Sequence, residues 1–438
     1  MDQFLAFLIA AIFVSLIIPR LGPFLSLVVS AIIFGLLVGM GEQVLGYVST
    51  GLSRVFSSLA IVVFSGAILA EFLRRTQSLD RIVADLGRLS HRSLAISGMA
   101  GYLISLPVMC SITAYMILQP LVSALSARSS QSRRRALFMT AACSVISFNL
   151  IYPSPVMIIL SGGLGAAPRE LLMRSIPISL ALFLLAIVLM GGIFPDKEEF
   201  REEQRDTGDK GGKDGDRDKE DQSGKGDNDD KENLECKEQI EPPRMSRLSA
   251  WAPLLLPVAL ILLGSILPER ARILSDPAIA LLAGAMLGLA LEREKMQELI
   301  HVATRRSGVI LLDLCGAGAF GYAVAQSGLP EEIFRLGHFL PTLLLPFLLS
   351  AALQLAQGSR VVTATVSAQI LAGYPLPAET LVLLIASGAF MLSAITDPFF
   401  WLLKDSTGSD LRQTILGYTL PLSLLGLAAF ALAVMWPA

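Results

Sequence analysis

The segment Leu353–Thr365 gathers Gln354, Gln357, Gly358, Ser359, Arg360, Thr363 and Thr365 inside an apolar run that extends from Pro346 to the Tyr374-Pro375 pair. A guanidinium offers a rigid fork of donors that suits a carboxylate, and hydroxyls and amides beside it can hold the rest of a small polar anion. Placing Arg360 near the middle of a bilayer costs about 2.5–3.5 kcal/mol on insertion scales. Irregular backbone is tolerated at that depth only where it lines a cavity or is buried in protein. The segment is therefore expected to form the tip of a re-entrant hairpin at a substrate site.

A second set of chemically capable residues lies in other apolar runs. Asp397, in Ala394-Ile395-Thr396-Asp397-Pro398, is an intramembrane carboxylate and a candidate proton carrier or cation ligand. The same residue could instead be a structural partner for Arg360. Asp313 is a second candidate for ion coupling. Glu71, near a helix end, is read as a group that snorkels to the interface. Ser111, Thr113, Asn149 and Thr396 stand beside Pro-containing breaks and are expected to add hydrogen bonds to a substrate, together with Gln357, Gly358, Ser359, Arg360 and Thr363.

The elements that must position these groups follow from composition. The chain has 438 residues, is 53% hydrophobic and only 16% charged, and its apolar runs are of membrane-spanning length. The fold class expected is an all-α polytopic membrane protein built of two inverted repeats, each with a re-entrant hairpin and a broken transmembrane helix. The first repeat covers 1–195, with a hairpin near 93–126 and a broken helix near 136–160. The second covers 248–438, with a hairpin near 341–373 and a broken helix near 379–403. Between them, 196–247 carries 19 acidic and 12 basic residues with no apolar periodicity, which reads as a disordered cytoplasmic linker. Other helices are expected near 3–19, 24–40, 55–73, 174–194, 250–267, 277–291, 307–326 and 414–436, and an amphipathic interfacial helix near 74–92.

The repeat shows in paired signals. At an offset of about 250, Leu86-Gly87 answers Leu336-Gly337 and Thr113-Ala114 answers Thr363-Ala364. Arginines flank both ends of the first hairpin, whereas Glu331, Glu332 and Glu379 dominate the flanks of the second; the basic flanks belong inside and the acidic ones outside. Inverted repeats whose broken helices meet at the midplane are the plan of secondary transporters, with half-helix N-termini turned toward anions.

Several classes are excluded or disfavoured. Gly316-Ala317-Gly318-Ala319-Phe320-Gly321 spells GxGxxG, but without a Rossmann context it is read as a helix-packing motif, as are the GxxxG pairs Gly35/Gly39 and Gly284/Gly288. The cysteines have no metal spacing, the histidines (His91, His301, His338) sit in or near loops without a catalytic context, and no constellation for hydrolysis is present. No enzyme, no metal, no cofactor and no nucleic-acid partner is expected. The start, Met1-Asp2-Gln3, lacks a basic region, so the first apolar run is read as a retained helix.

At these motifs the chain resembles the gluconate permease family, within the wider ion-transporter superfamily. Ala356-Gln357-Gly358-Ser359 is similar to that family's AQGS hairpin motif, and Asp397 with Phe400-Trp401-Leu402-Leu403-Lys404 to its D-x-G-F-W-L-V-K segment. Leu106-Pro107-Val108 and Tyr152-Pro153-Ser154-Pro155 resemble its two proline breaks. Departures occur where the family places an acidic residue, two histidines, a small residue and an asparagine: this chain has Met109-Cys110-Ser111, Asn149 and Ser154, Arg360, and Thr396. The resemblance implies a prokaryotic, multi-pass, inner-membrane symporter for a small organic anion, sugar-acid-like, driven by H+, and a possible homodimer. Its alternatives are a Na+-coupled dicarboxylate carrier or exporter and a non-transporting sensor or scaffold. Arg360 would meet the substrate carboxylate and Asp397 would carry the proton.

Overall fold

The computed structural model describes residues 3–76, 78, 81–82, 85, 93–127, 132–193, 246–266, 273–274, 276–336, 340–394 and 396–435. The linker expected at 196–247, apart from Ser246 and Arg247, and most of the interfacial helix expected at 74–92 lie outside the described residues. No strand occurs among the described residues.

The first half runs through α1 (Gln3–Val38), α2 (Gln43–Arg75), α3 (Ser93–Val108), α4 (Ser111–Ala127), α5 (Arg133–Leu150), α6 (Pro155–Leu164) and α7 (Pro168–Ile193). The second runs through α8 (Arg247–Ile266), α9 (Pro277–Leu291), α10 (Met296–Ala325), α11 (Leu329–Leu336), α12 (Leu344–Gln357), α13 (Arg360–Ile370), α14 (Ala378–Gly388), α15 (Pro398–Thr407) and α16 (Leu411–Met435). After α1 in the first half, and after α8 and α9 in the second, a long helix (α2, α10) leads, in the second half by way of α11, to a pair of short helices (α3–α4, α12–α13), then two broken-run helices (α5–α6, α14–α15), then a terminal helix (α7, α16). Among the described residues, six segments are long and apolar enough to cross a membrane, including Gln43–Arg75, Arg133–Leu164 and Arg293–Ala325.

Short-range chemistry makes the breaks. The α6 cap is Ser154, whose side chain accepts from the Met157 amide, with Pro155 in the first turn. Ser359 caps α13, accepting from the Val362 amide, and Asp397 caps α15, accepting from the Phe399 amide, with Pro398 in the first turn. A capping oxygen satisfies an orphan amide, and a proline at the first position gives up none. Each apolar run is thus cut into two half-helices with an N-terminus inside it. A fourth N-terminus, that of α4, follows Met109, which has φ 55°.

Packing sets the helix lengths. Instead of starting near 55 and 307, α2 has 33 residues and α10 has 30. At 1.5 Å per residue, both exceed the ~30 Å hydrocarbon core. They cross backbone to backbone: a Cβ on Gly51 would strike the Gly318 carbonyl, and one on Gly318 would strike the Gly51 carbonyl. Gly316 meets the backbone of Phe24, and Gly321 meets Gln369 and Val366, so the GxGxxG run serves helix approach. Gly284 and Gly288 likewise face Pro257 and Phe72. Gly39 departs from that expectation: its φ of 91° ends α1, and nothing lies near its missing Cβ.

The same helices are joined by charge. The Glu71 side chain is fully buried, not snorkelled, and it pairs with Arg74, with Arg75 at 2.7 Å and with Arg306 of α10 at 3.3 Å. Arg75 also reaches Glu298 at 2.8 Å. A buried carboxylate needs such partners, because uncompensated burial of a charge costs several kcal/mol. Elsewhere in the core lies α5, whose residues from Arg135 to Leu150 are all buried. It packs among α3, α4, α6, α7, α14, α15 and the start of α16.

Candidate functional site

The four breaks do not lie apart. The α12–α13 tip rests on the α14–α15 break: Gly358 has φ 66°, and a Cβ there would meet the Thr396 carbonyl and the Asp397 amide. Thr396 Oγ1 donates to the Leu355 carbonyl at 2.8 Å, closing the same contact from the other side. On the first half, Ser105 Oγ donates to the Ser144 carbonyl at 2.8 Å, and Ser144 Oγ reaches the Ser111 carbonyl at 3.5 Å. The halves are tied by Asn149 Nδ2, which donates to the Ala386 carbonyl at 2.6 Å.

At the centre of the second-half break is a buried polar cluster. Arg360 and Asp397 are 5% and 1% exposed and form an ion pair at 3.2 Å. The same Nη2 donates to Ser393 Oγ at 2.8 Å and to Tyr418 OH at 3.1 Å. Tyr418 OH in turn lies 3.3 Å from Asp397 Oδ2. Both Tyr115 of α4 and Tyr418 pack edge-on against the Phe399 ring, which brings the first helix pair up to the cluster.

Three features leave this centre short of negative charge. Arg360 occupies the first turn of α13, where the helix macrodipole is positive, and the α15 N-terminus is turned toward the same place. A single carboxylate answers both N-termini and the guanidinium. Arg360 Nε is buried without a partner, although its neighbour Nη2 makes three bonds.

Further orphaned polar atoms stand around it. Gln357 is buried with both amide atoms unpaired, Gln354 Nε2 has no partner, and Asn149 Oδ1 has none. Buried polar atoms are ordinarily bonded, so a group of orphans marks a place for a ligand or water. Gln354 Oε1 is held by Thr363 Oγ1 at 3.0 Å, which orients the amide. The described residues contain no group of three or more His, Cys, Asp or Glu able to hold a metal ion.

The structure thus brings together Gln357, Gly358, Ser359, Arg360, Thr363, Thr396 and Asp397, while Asn149 of α5 is bonded to α14 at the Ala386 carbonyl. Ser111 is buried at the start of α4, and Thr113, two residues on, is half-buried toward α2 and α10. Asp313 is not part of the cluster. Its Oδ1 accepts from the Phe24 amide at 3.2 Å, just past the Gly22 kink (φ 76°) inside α1, and so caps that helix's second segment. Three contributors were not among the expected site residues: Tyr418, which the sequence reading passed over, and Ser393 and Gln354, which it noted only as parts of the breaks. For Tyr418 a local signal exists, since Gly417-Tyr418-Thr419 is a polar interruption of an apolar helix. It falls in the π turn Ile415–Thr419, where Thr419 Oγ1 also bonds the Ser393 carbonyl. Such turns frequently sit at functional sites.

Comparisons with known proteins agree over most of the chain. A family model described as GntP family permease matches residues 3–438. The High-affinity gluconate transporter of Escherichia coli strain K12 is 23% identical over 431 residues, covering 92% of this chain and 91% of that protein. The D-serine transporter DsdX of the same strain is 22% identical over 440 residues, covering 93% and 92%. Among solved structures, the Alcanivorax borkumensis YdaH transporter is similar in fold, with a TM-score of 0.59, 16% identity, and coverage of 91% of this chain and 89% of that one.

Proposed function

Because the chain belongs to the GntP family of permeases, and is therefore a membrane transporter and not an enzyme, we propose that it is a secondary active symporter that moves a small organic anion together with H+ across the bacterial inner membrane. The observation that carries the reading is the Arg360–Asp397 pair at the breaks, with Arg360 Nε left unbonded. Relatives named for gluconate and for D-serine share a carboxylate, and a carboxylate is what a guanidinium flanked by helix N-termini binds.

The pair supplies a coupling device. An incoming carboxylate competes with Asp397 for one guanidinium. When the anion takes Arg360, Asp397 loses its counter-charge and takes up a proton; when the anion leaves, the proton leaves and the pair re-forms. Anion and proton then travel together with no net charge added to the site. Tyr418 and Ser393 hold both partners through the exchange, and Gln354, Gln357 and Asn149 offer the orphaned atoms to the polar groups of the substrate. Asp313, as a helix cap, has a structural place in this scheme.

Each half contributes one helix pair and one broken helix, and the halves are inverted across the membrane. Arginine-rich ends place residues 127–135 and the α2 terminus on the cytoplasmic side. A single cysteine near residue 132 is expected to react only from the cytoplasm, and cysteines near Glu331 and Glu379 only from outside. Labelling of the two ends of α3–α4, or of α12–α13, from opposite sides would make that pair a spanning unit and remove the inversion.

The transport test is uptake by proteoliposomes with an imposed pH gradient, over a panel of sugar acids, hydroxy acids, dicarboxylates and small amino acids. Accumulation of a carboxylate that follows the proton gradient and persists without Na+ is expected. Accumulation that requires Na+ and ignores the pH gradient would assign the coupling ion differently.

A further inference from the structure

A cleft of about 890 Å³ lies between the first helix pair and the long helices α2 and α10. It is within the usual size range of small-molecule sites. One end reaches Met109 and Thr113, at the tip of the α3–α4 pair; the other is edged by Arg74, His301, Arg305 and Arg306. The walls between are apolar: Val63, Ala67 and Ala70 from α2, Met116 and Ile117 from α4, and Val309 from α10. Among the lining residues Thr113 alone carries a hydroxyl.

The charges at the edge are unequal. Arg74 and Arg306 are both engaged by the buried Glu71. Arg305 is exposed and has no hydrogen-bond or ion-pair partner among the described residues, and the same holds for His301, which sits within α10, not in a loop. One free guanidinium and one imidazole therefore stand over an apolar passage that ends beside the N-terminus of α4. A positive rim concentrates anions and raises their rate of capture. Apolar walls admit a hydrocarbon body without cost, whereas each hydroxyl passing along them gives up water without gaining a partner.

Resting on the reading of the chain as an organic-anion transporter, we propose that this cleft is the vestibule through which the cargo reaches the tip of α3–α4 from the basic face, and that it favours a carboxylate with an apolar body over a polyhydroxylated one. Arg305 is its capture residue.

The test uses cysteines placed on two walls, Ala67→Cys and, separately, the exposed Val309→Cys, in a Cys110→Ser/Cys236→Ser background; Cys143 and Cys315 are buried. Purified protein in phosphatidylcholine vesicles is labelled with a bulky methanethiosulfonate in the presence of 2-hydroxy-4-methylpentanoate or of gluconate. Slower labelling with the first acid and little change with the second is expected at both positions. Arg305→Gln should weaken that protection about twofold to fivefold, the range of an exposed ionic contact. Equal or better protection by gluconate overturns the preference. No protection by either acid, in protein that still accumulates one of them, overturns the vestibule. Protection by phosphatidylglycerol vesicles without any acid assigns the cleft to an anionic lipid instead. Absence of accumulation for every acid would strike the transport reading itself, which is a separate failure.

Discussion

Asp397→Asn is expected to yield a less stable protein that regains stability when a carboxylate substrate is added. Among the described residues, Asp397 is the one carboxylate bonded to Arg360. Removing one partner of a buried pair leaves an uncompensated charge, at a cost of about 3–5 kcal/mol. If the substrate carboxylate binds the same guanidinium, it replaces the lost charge, and its stabilising effect is larger in the variant than in the parent. Thermal unfolding in detergent, with and without substrate, reads this directly. Arg360→Gln should be destabilised to a similar degree and should not respond to substrate. The double variant Arg360→Gln/Asp397→Asn should recover stability, since two neutral side chains replace the pair, yet have no substrate affinity. Asp397→Asn should also retain exchange while losing accumulation driven by a pH gradient. A variant Asp397→Asn that no anion stabilises, beside a stable double variant, would reduce the pair to a structural one.

Gly358→Ala is expected to abolish transport, whereas Gly408→Ala leaves most of it. The two glycines have nearly the same backbone, φ 66° and 65°, and each follows the end of a helix. The left-handed conformation alone costs a non-glycine residue about 1–2 kcal/mol. What separates the positions is the neighbour. A Cβ on Gly408 meets nothing within 4 Å, whereas one on Gly358 runs into the Thr396 carbonyl and the Asp397 amide. Neither neighbour is a flexible side chain, so the α12–α13 tip must lift from the α14–α15 break. That movement separates Arg360 from Asp397 and breaks the Thr396–Leu355 bond. Uptake per unit of protein in the membrane should fall at least tenfold for Gly358→Ala and less than about threefold for Gly408→Ala. Similar losses at both positions would mean that backbone strain, not the contact, is what matters.

Local chemistry alone determined the membrane class, the family resemblance and the places where the chain breaks. Apolar run length decides whether a helix can span a bilayer. Caps and prolines act within three residues: Ser154 on Met157, Ser359 on Val362, Asp397 on Phe399. Such signals survive in a linear reading because donor and acceptor are near neighbours in the chain. Arg360 and Asp397 were also visible one by one, as charges where hydrocarbon was expected.

Tertiary structure alone decided which groups meet. Arg360 finds Asp397 across 37 residues and Tyr418 across 58, and Asp313 finds the Phe24 amide across 289. The local sequence sets Asp397 beside Pro398 and Asp313 in an unbroken apolar run, but it does not say what either carboxylate meets. Each is one acid in an apolar run, and only the packing of other helices supplies a guanidinium to one and a bare amide to the other. The lengths of α2 and α10 were hidden for a related reason. Gly46 and Gly51 weaken helix propensity locally, and the crossing with Gly318 that favours a helix there exists only once the two helices are packed.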